Sequence, residues 1–412
     1  MRSATVRQCA VLVGGLGTRL GELTAATPKP LLRCGDRPFL AWLLREFLRF
    51  GVDDFLLLTG HLSEVVEDAL PAIAASLPRQ VRITLCREPV RAGTGGALYH
   101  ARDHLADRFL LCNGDSLLDC NFARLLADAA ADSDAVTGRM VLRHLDDASR
   151  YGVVELQGDH VSAFHERPEP GKPGTINAGI YLLNRSVLND ITPVCSLEQD
   201  ILPALAARGA LRGTIGDGYF IDIGIQADLE RAQTELPALL RRRALFLDRD
   251  GVINVDHGHV GTRERFDWMP GAIETIRAAT DRGFHVFVVT NQSGIARGFY
   301  NEAQLAALHD WMANEIRAAG GTLDDLRFCP FHPEGTVEAY CQTSDWRKPA
   351  PGMLLDLIAK WELDPSRCLF IGDQPTDLAA GAAAGVPAYR FAGTDLAAFA
   401  LPLLGGDRLR NS

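Results

Sequence analysis

Short apolar runs that stop abruptly at glycine, aspartate or threonine recur along this 412-residue chain. Cys9–Val13 meets Gly14-Gly15, Phe55–Leu58 meets Thr59-Gly60, and Phe109–Cys112 meets Asn113-Gly114-Asp115. Past the middle, Leu245–Leu247 meets Asp248-Arg249-Asp250-Gly251, Val286–Val289 meets Thr290-Asn291, and Leu369–Ile371 meets Gly372-Asp373. Such continuous runs fit strands buried on both faces, as in parallel sheets, and there the polar residues just past the strands carry the site. Helical spacing between runs, as over 38–50, predicts an α/β chain of two doubly wound, Rossmann-like domains.

The length exceeds one ordinary domain. A helical segment over 226–240 followed by Arg241-Arg242-Arg243 places the join near 236–243, so the expected domains are 1–237 and 238–412. With 47% hydrophobic residues there is ample material for two cores, which excludes disorder. A net charge of −10 argues against nucleic acid or an anionic membrane as partners. Nine cysteines without a disulfide-like framework fit a reducing, cytoplasmic setting. No stretch is long enough to span a bilayer, and the start does not read as a signal peptide.

In the first half, Gly14, Gly15, Gly17 and Thr18 form a loop that lets backbone N–H groups approach a polyphosphate, with Arg19 and Lys29 to neutralise it. The loop is neither a Rossmann fingerprint nor a Walker A loop. A second glycine turn, Gly93-Thr94-Gly95, opens a helix; it reads equally as a phosphate contact or as an ordinary helix start. Asp115 and Asp222 each follow an apolar run, and two carboxylates brought together can hold one Mg²⁺ through oxygen. The combination of GGLGTRL with TPKPLL, whose Lys29 lies ten residues after Arg19, resembles the sugar-1-phosphate nucleotidylyltransferases. That resemblance implies a mixed sheet, a nucleotide held by both glycine turns, and Mg²⁺ on Asp115 and Asp222. It also implies sugar contacts from Gly152, Glu166, Arg167 and Asn177. Arg167 stands where that family usually has lysine, which keeps the charge but replaces a point donor with a fork.

In the second half, DxD at 248–250, Thr290, Lys348 and GDxxxD at 372–377 occur in order, each at a strand end or loop. This order resembles the haloacid dehalogenase superfamily of phosphatases, whose sheet is parallel. The resemblance implies Asp248 as nucleophile, Asp250 as general acid and then base, and Mg²⁺ on Asp248, the Asp250 carbonyl and Asp373. It implies Thr290, Asn291 and Lys348 on the phosphoryl oxygens. TNQSGIARG at 290–298, with Ser293, and RKPAPGM at 347–353, with Arg347, look like the heptose-bisphosphate phosphatases, with histidinol-phosphate phosphatases close kin. Those families carry a zinc loop, C-x-H and then C-x-C. Only Cys329 stands in register here, with His332 and Cys341 off the pattern. Zinc wants four ligands in a tetrahedron, so zinc is not expected.

Together the halves imply a bifunctional, Mg²⁺-dependent enzyme of nucleotide-heptose synthesis. The second half would remove the 7-phosphate from D-glycero-α-D-manno-heptose 1,7-bisphosphate, and the first would join GMP from GTP to the heptose 1-phosphate. GTP comes from the resemblance alone. Two alternatives stay open: the same folds acting on another sugar 1-phosphate and nucleotide and on another small phosphate ester, such as one like histidinol phosphate, and a binding protein that keeps the folds without the chemistry.

Overall fold

The computed structural model describes residues 6–15 and 17–405, with the Thr18 side chain outside the description. Within these residues the chain falls into two compact units, 6–120 with 128–240, and 121–127 with 241–405. The grouping of 121–127 with the second unit has no marker in composition.

The first unit is built on β1 (Gln8–Leu12), β2 (Asp54–Thr59), β3 (Arg82–Arg87), β4 (Arg108–Asn113), β5 (Ser116–Leu118), β6 (Gly138–Leu145), β7 (Val153–Gln157), β8 (His160–His165), β9 (Gly174–Asn184), β10 (Leu211–Ile215) and β11 (Phe220–Asp222). Nine of these form one sheet in the order β3-β2-β1-β4-β9-β6-β10-β8-β7. The β3-β2-β1-β4 half is parallel, and β9 runs antiparallel to both β4 and β6, so the sheet is mixed. Glycine sets the spacing where β4 leaves the sheet. A Cβ on Gly114 would lie 2.6 Å from the Leu12 carbonyl, and the Gly114 N–H donates to that oxygen at 2.9 Å. Outside the sheet, β11 pairs with β5 and sets Asp222 opposite Ser116, next to Asp115.

The second unit holds β12 (Ala244–Leu247), β13 (His285–Asn291), β14 (Asp325–Cys329), β15 (Leu369–Gly372) and β16 (Ala388–Arg390). They form an all-parallel sheet in the order β14-β13-β12-β15-β16. Alternate residues of β12 enter different cores. Leu245 and Leu247 pack with Val286, Val288 and Ile371, whereas Ala244 and Phe246 pack with Phe287, Val289 and Phe370. Both faces are therefore covered, which is why the run lacks a polar alternation. Each such large side chain contributes about 1.5–3 kcal/mol when fully buried. All four residues of β12 are buried, so Asp248 is the first group able to face a cleft.

Among the described residues, no helix is long and apolar enough to cross a membrane.

Candidate active sites

In the first unit a cavity of about 540 Å³ opens across the ends of β3, β2, β1 and β4. Gly14, Gly15, Lys29, Gly93, Thr94 and Asp115 line it, six of the residues expected from sequence. The Lys29 ammonium sits 2.8 Å from Asp115 Oδ2. The Ile223 N–H donates to the Asp115 carbonyl at 3.0 Å, which ties the two carboxylate segments together. Burial, and then the charge of Asp115, push the Asp222 carboxyl upward, with Lys29 and the Gly224 N–H opposing. Two carboxylate segments tied together, one of them disfavoured as an anion by burial and then by the other's charge, suit a divalent cation, so the donor set fits Mg²⁺.

Several expected residues also have partners within the fold. The Gly95 N–H donates to the Cys195 carbonyl at 3.1 Å, so that amide is engaged within the fold. A Cβ on Gly95 would lie 2.6 Å from Cys195 Sγ, so this glycine admits the neighbouring segment. The Thr94 hydroxyl accepts from the Leu197 N–H at 2.8 Å and donates to Glu198 Oε2 at 2.6 Å. Asn177 donates to the Tyr181 hydroxyl at 2.7 Å and accepts the Gly179 N–H at 2.9 Å, so its amide is used within β9. Gly17 (φ 63°) turns the chain, with Thr24 Oγ1 donating to its carbonyl at 3.0 Å. Among the described residues Gly17, Arg19, Gly95, Gly152, Glu166, Arg167, Asn177 and Asp222 are not part of the cavity wall. Glu166 and Arg167 are exposed in the segment after β8. Thr18, expected at the nucleotide, has its side chain outside the described residues. Two carboxylates unmarked by any motif do line the wall, Glu88 and Glu198.

In the second unit a cavity of about 330 Å³ is lined by Asp248, Asp250, Thr290, Asn291, Lys348, Asp373 and Asp377, among others. Lys348 is the centre of the charge arrangement. Its ammonium lies 2.8 Å from Asp248 Oδ1 and 2.7 Å from Asp377 Oδ1, and donates to the Val289 carbonyl at 3.0 Å. Asn291 fixes its backbone on both sides, donating to the Lys348 carbonyl and accepting its N–H, each at 3.0 Å. Burial pushes the Asp248 carboxyl up to about 7, against the pull of Lys348. Carboxylate oxygens of Asp248, Asp373 and Asp377 lie within 4.8 Å of one another. Asp373 Oδ1 is buried without a hydrogen-bond partner. A hard cation fits that orphaned oxygen. Asp377 Oδ2 accepts the Gln374 N–H at 2.9 Å, so Asp377 chiefly anchors Lys348 and a helix start. Gly251 (φ 83°) must be glycine, since a Cβ there would sit 2.5 Å from Asp373 Oδ2. Ser293 and Arg347 lie outside the cavity wall; the Arg347 guanidinium donates to the Phe331 carbonyl at 3.4 Å. Among the described residues Cys329, His332 and Cys341 do not form a metal-ligating group.

Sequence reading missed the groups around Asp250. Asp250 Oδ1 accepts from Arg249 at 2.9 Å and Asn254 at 3.0 Å, and Oδ2 accepts from Arg249 and Gln292, both at 2.9 Å. Gln292 also donates to Thr290 Oγ1 at 2.9 Å and accepts from the Tyr300 hydroxyl at 2.6 Å.

Two family models match this chain: nucleotidyl transferase over residues 9–238, and haloacid dehalogenase-like hydrolase over residues 225–385. The chain belongs to both families, one in each half. It is a nucleotidyltransferase and a phosphatase in a single polypeptide. The second half is 50% identical over 164 residues to a D-glycero-beta-D-manno-heptose-1,7-bisphosphate 7-phosphatase of Rhodopseudomonas palustris, covering 40% of this chain and 91% of that protein. It is 44% identical over 147 residues to the D-glycero-alpha-D-manno-heptose-1,7-bisphosphate 7-phosphatase of Burkholderia mallei, covering 36% of this chain and 78% of that protein. The first half superposes on HddC from Yersinia pseudotuberculosis complexed with GMP-PN, with a TM-score of 0.50 and 28% identity, over 56% of this chain and 99% of that one.

Proposed function

We propose that residues 238–412 remove the 7-phosphate of D-glycero-α-D-manno-heptose 1,7-bisphosphate and that residues 1–237 transfer GMP from GTP to the resulting heptose 1-phosphate. The phosphatase relatives support the bisphosphate. The likeness to a protein solved with a guanine nucleotide supports GTP. The observation that carries the reading is one chain with two cavities, each ending in a lysine-paired aspartate, matched to families whose product and substrate are the same compound class.

In the phosphatase an oxygen of Asp248 attacks phosphorus, and the bond to the ester oxygen breaks with its electron pair. Asp250 gives that oxygen a proton. Asp250 then takes a proton from water, whose oxygen attacks the aspartyl-phosphate and frees Asp248 and inorganic phosphate. Lys348, Thr290 and Asn291 hold the phosphoryl oxygens, with Ser293 and Arg347 serving the rest of the substrate. In the transferase an oxygen of the heptose 1-phosphate attacks the α-phosphorus of GTP, and pyrophosphate leaves as the bridging bond breaks. Arg19, Lys29 and Arg167 supply neutralising charge, and Gly152, Glu166 and Asn177 serve the sugar. Mg²⁺ in each site would neutralise phosphate oxygens, held by Asp115 and Asp222 in one and by Asp248, Asp373 and the Asp250 carbonyl in the other.

Glu88 bears on the base. It follows β3, three strands from the Asp115 end, which is roughly 14 Å at ordinary strand spacing. A carboxylate in a cavity for a polyanion is useful where it accepts N–H groups. Guanine offers two adjacent donors on one edge, whereas uracil and thymine offer one between carbonyls. The test is Asp115→Ala: it abolishes nucleotidyl transfer and leaves phosphate release active. Transfer near the wild-type rate would overturn the assignment.

A further inference from the structure

Arg249 lies between the two catalytic aspartates and is fully buried. A buried guanidinium needs partners for its donors, and here each direction is taken. Nε and Nη2 face Asp250, and Nη2 also meets the Val260 carbonyl and Gln292 Oε1. Nη1 meets Nε2 of His309, 3.1 Å distant and buried. His309 is carried by the helix Glu302–Ala318, whose start is fixed by a reciprocal cap between Asn301 and Gln304. A guanidinium has no lone pair to offer, so His309 Nε2 must accept and its ring proton sits on Nδ1. Burial and the Arg249 charge hold this imidazole neutral, pushed down to about 3.

We propose that Arg249, braced from behind by His309, is a positioning residue that fixes the Asp250 carboxyl for proton transfer to the leaving oxygen. The brace is rigid for a physical reason. Asp250 meets the planar fork of Arg249 on one side and Gln292 on the other, and Gln292 is held by Tyr300. Without an acceptor at His309, the guanidinium would turn to satisfy Nη1 and carry Asp250 with it.

The inference rests on Asp250 being the proton donor, and the test separates the two. Measure kcat/KM for the heptose bisphosphate, whose alkoxide must be protonated as it leaves, and for p-nitrophenyl phosphate, whose phenolate leaves without help. This ratio reports only the steps through leaving-group departure, so the later use of Asp250 as a base does not enter. Misplacement by about an ångström costs on the order of 100-fold. His309→Leu should therefore lower kcat/KM on the bisphosphate by about 100-fold and on the aryl ester less than about threefold. His309→Gln, which restores an acceptor, should recover most of the loss. Tyr300→Phe, a milder change at the far end of the chain of contacts, should discriminate in the same direction and keeps the test alive if His309→Leu does not fold. Equal losses on both esters, or no loss, would overturn the brace. If Asp250→Asn itself fails to discriminate between the esters, the assignment of Asp250 falls instead. A wild type inert to the bisphosphate sinks only the substrate reading, and the comparison is then made with glucose 6-phosphate.

Discussion

Replacing Lys348 by methionine removes a buried cation and leaves its partners in place. The ammonium is within 2.8 Å of Asp248 and 2.7 Å of Asp377, and all three side chains are almost wholly buried. Methionine fills much of the volume, so the cost is electrostatic. Breaking a buried pair by deleting one partner typically costs about 3–5 kcal/mol, which for a unit of this size lowers its melting temperature by roughly 10 °C. The size of the loss depends on pH. Asp248 is already raised to about 7 from an ordinary value of 3.8, so the folded unit binds more protons than the unfolded chain across that window. Its contribution to stability therefore falls as pH rises through the window. Without Lys348, whose charge pulls the carboxyl down, the fall becomes steeper. At pH 5 a proton on Asp248 replaces part of the missing charge, and at pH 8 nothing does. Urea unfolding of the second unit at the two pH values should give a deficit that is larger at pH 8 by at least about 1 kcal/mol. Equal deficits at both pH values, or a total below that amount, would refute the reasoning.

Other expectations follow from the same geometry. Mg²⁺ should raise the melting temperature more at pH 8 than at pH 5, because at the lower pH it must displace the proton on Asp248; an effect independent of pH contradicts the site. Asp115→Asn should reduce nucleotidyl transfer by about 10³-fold or more, since a bound metal is worth several kcal/mol, while phosphate release stays within about twofold of wild type. Glu88→Gln should lower kcat/KM for GTP by about 10- to 100-fold and raise the relative use of UTP, the size expected for one mismatched base-edge pair. Unchanged nucleotide ratios would remove Glu88 from base selection. Metal analysis of the purified protein should find no stoichiometric zinc, and one zinc per chain would refute that expectation.

Much of the fold was legible because strands buried on both faces leave a local mark. Leu245–Leu247 ends at Asp248 and Leu369–Gly372 ends at Asp373, as the apolar runs imply. Residues at strand ends were legible for the same reason, Asp115 in one cavity and Asp248, Thr290 and Asp373 in the other, while Lys29 and Lys348 were legible from loop motifs. What sequence could not give depends on contacts between distant segments. Gly95 reads as a phosphate-loop glycine until the Cys195 backbone is found against it. Arg249 and His309 are 60 residues apart, and nothing local marks His309 as the partner of Arg249. Glu88 and Glu198 carry no motif, and only the fold, which sets the Glu198 turn against Thr94, brings them to one wall. Arg167 stands in an exposed segment outside the cavity wall, a placement that no local pattern marks.

The most direct measurement supplies the purified chain with D-glycero-α-D-manno-heptose 1,7-bisphosphate, GTP and Mg²⁺ and follows the products by mass spectrometry. The expected products are inorganic phosphate, pyrophosphate and GDP-heptose in equal amounts, with Asp248→Asn blocking all three and Asp115→Asn blocking the last two. Phosphate release with no GDP-heptose, even when heptose 1-phosphate is supplied directly, would contradict the proposed function.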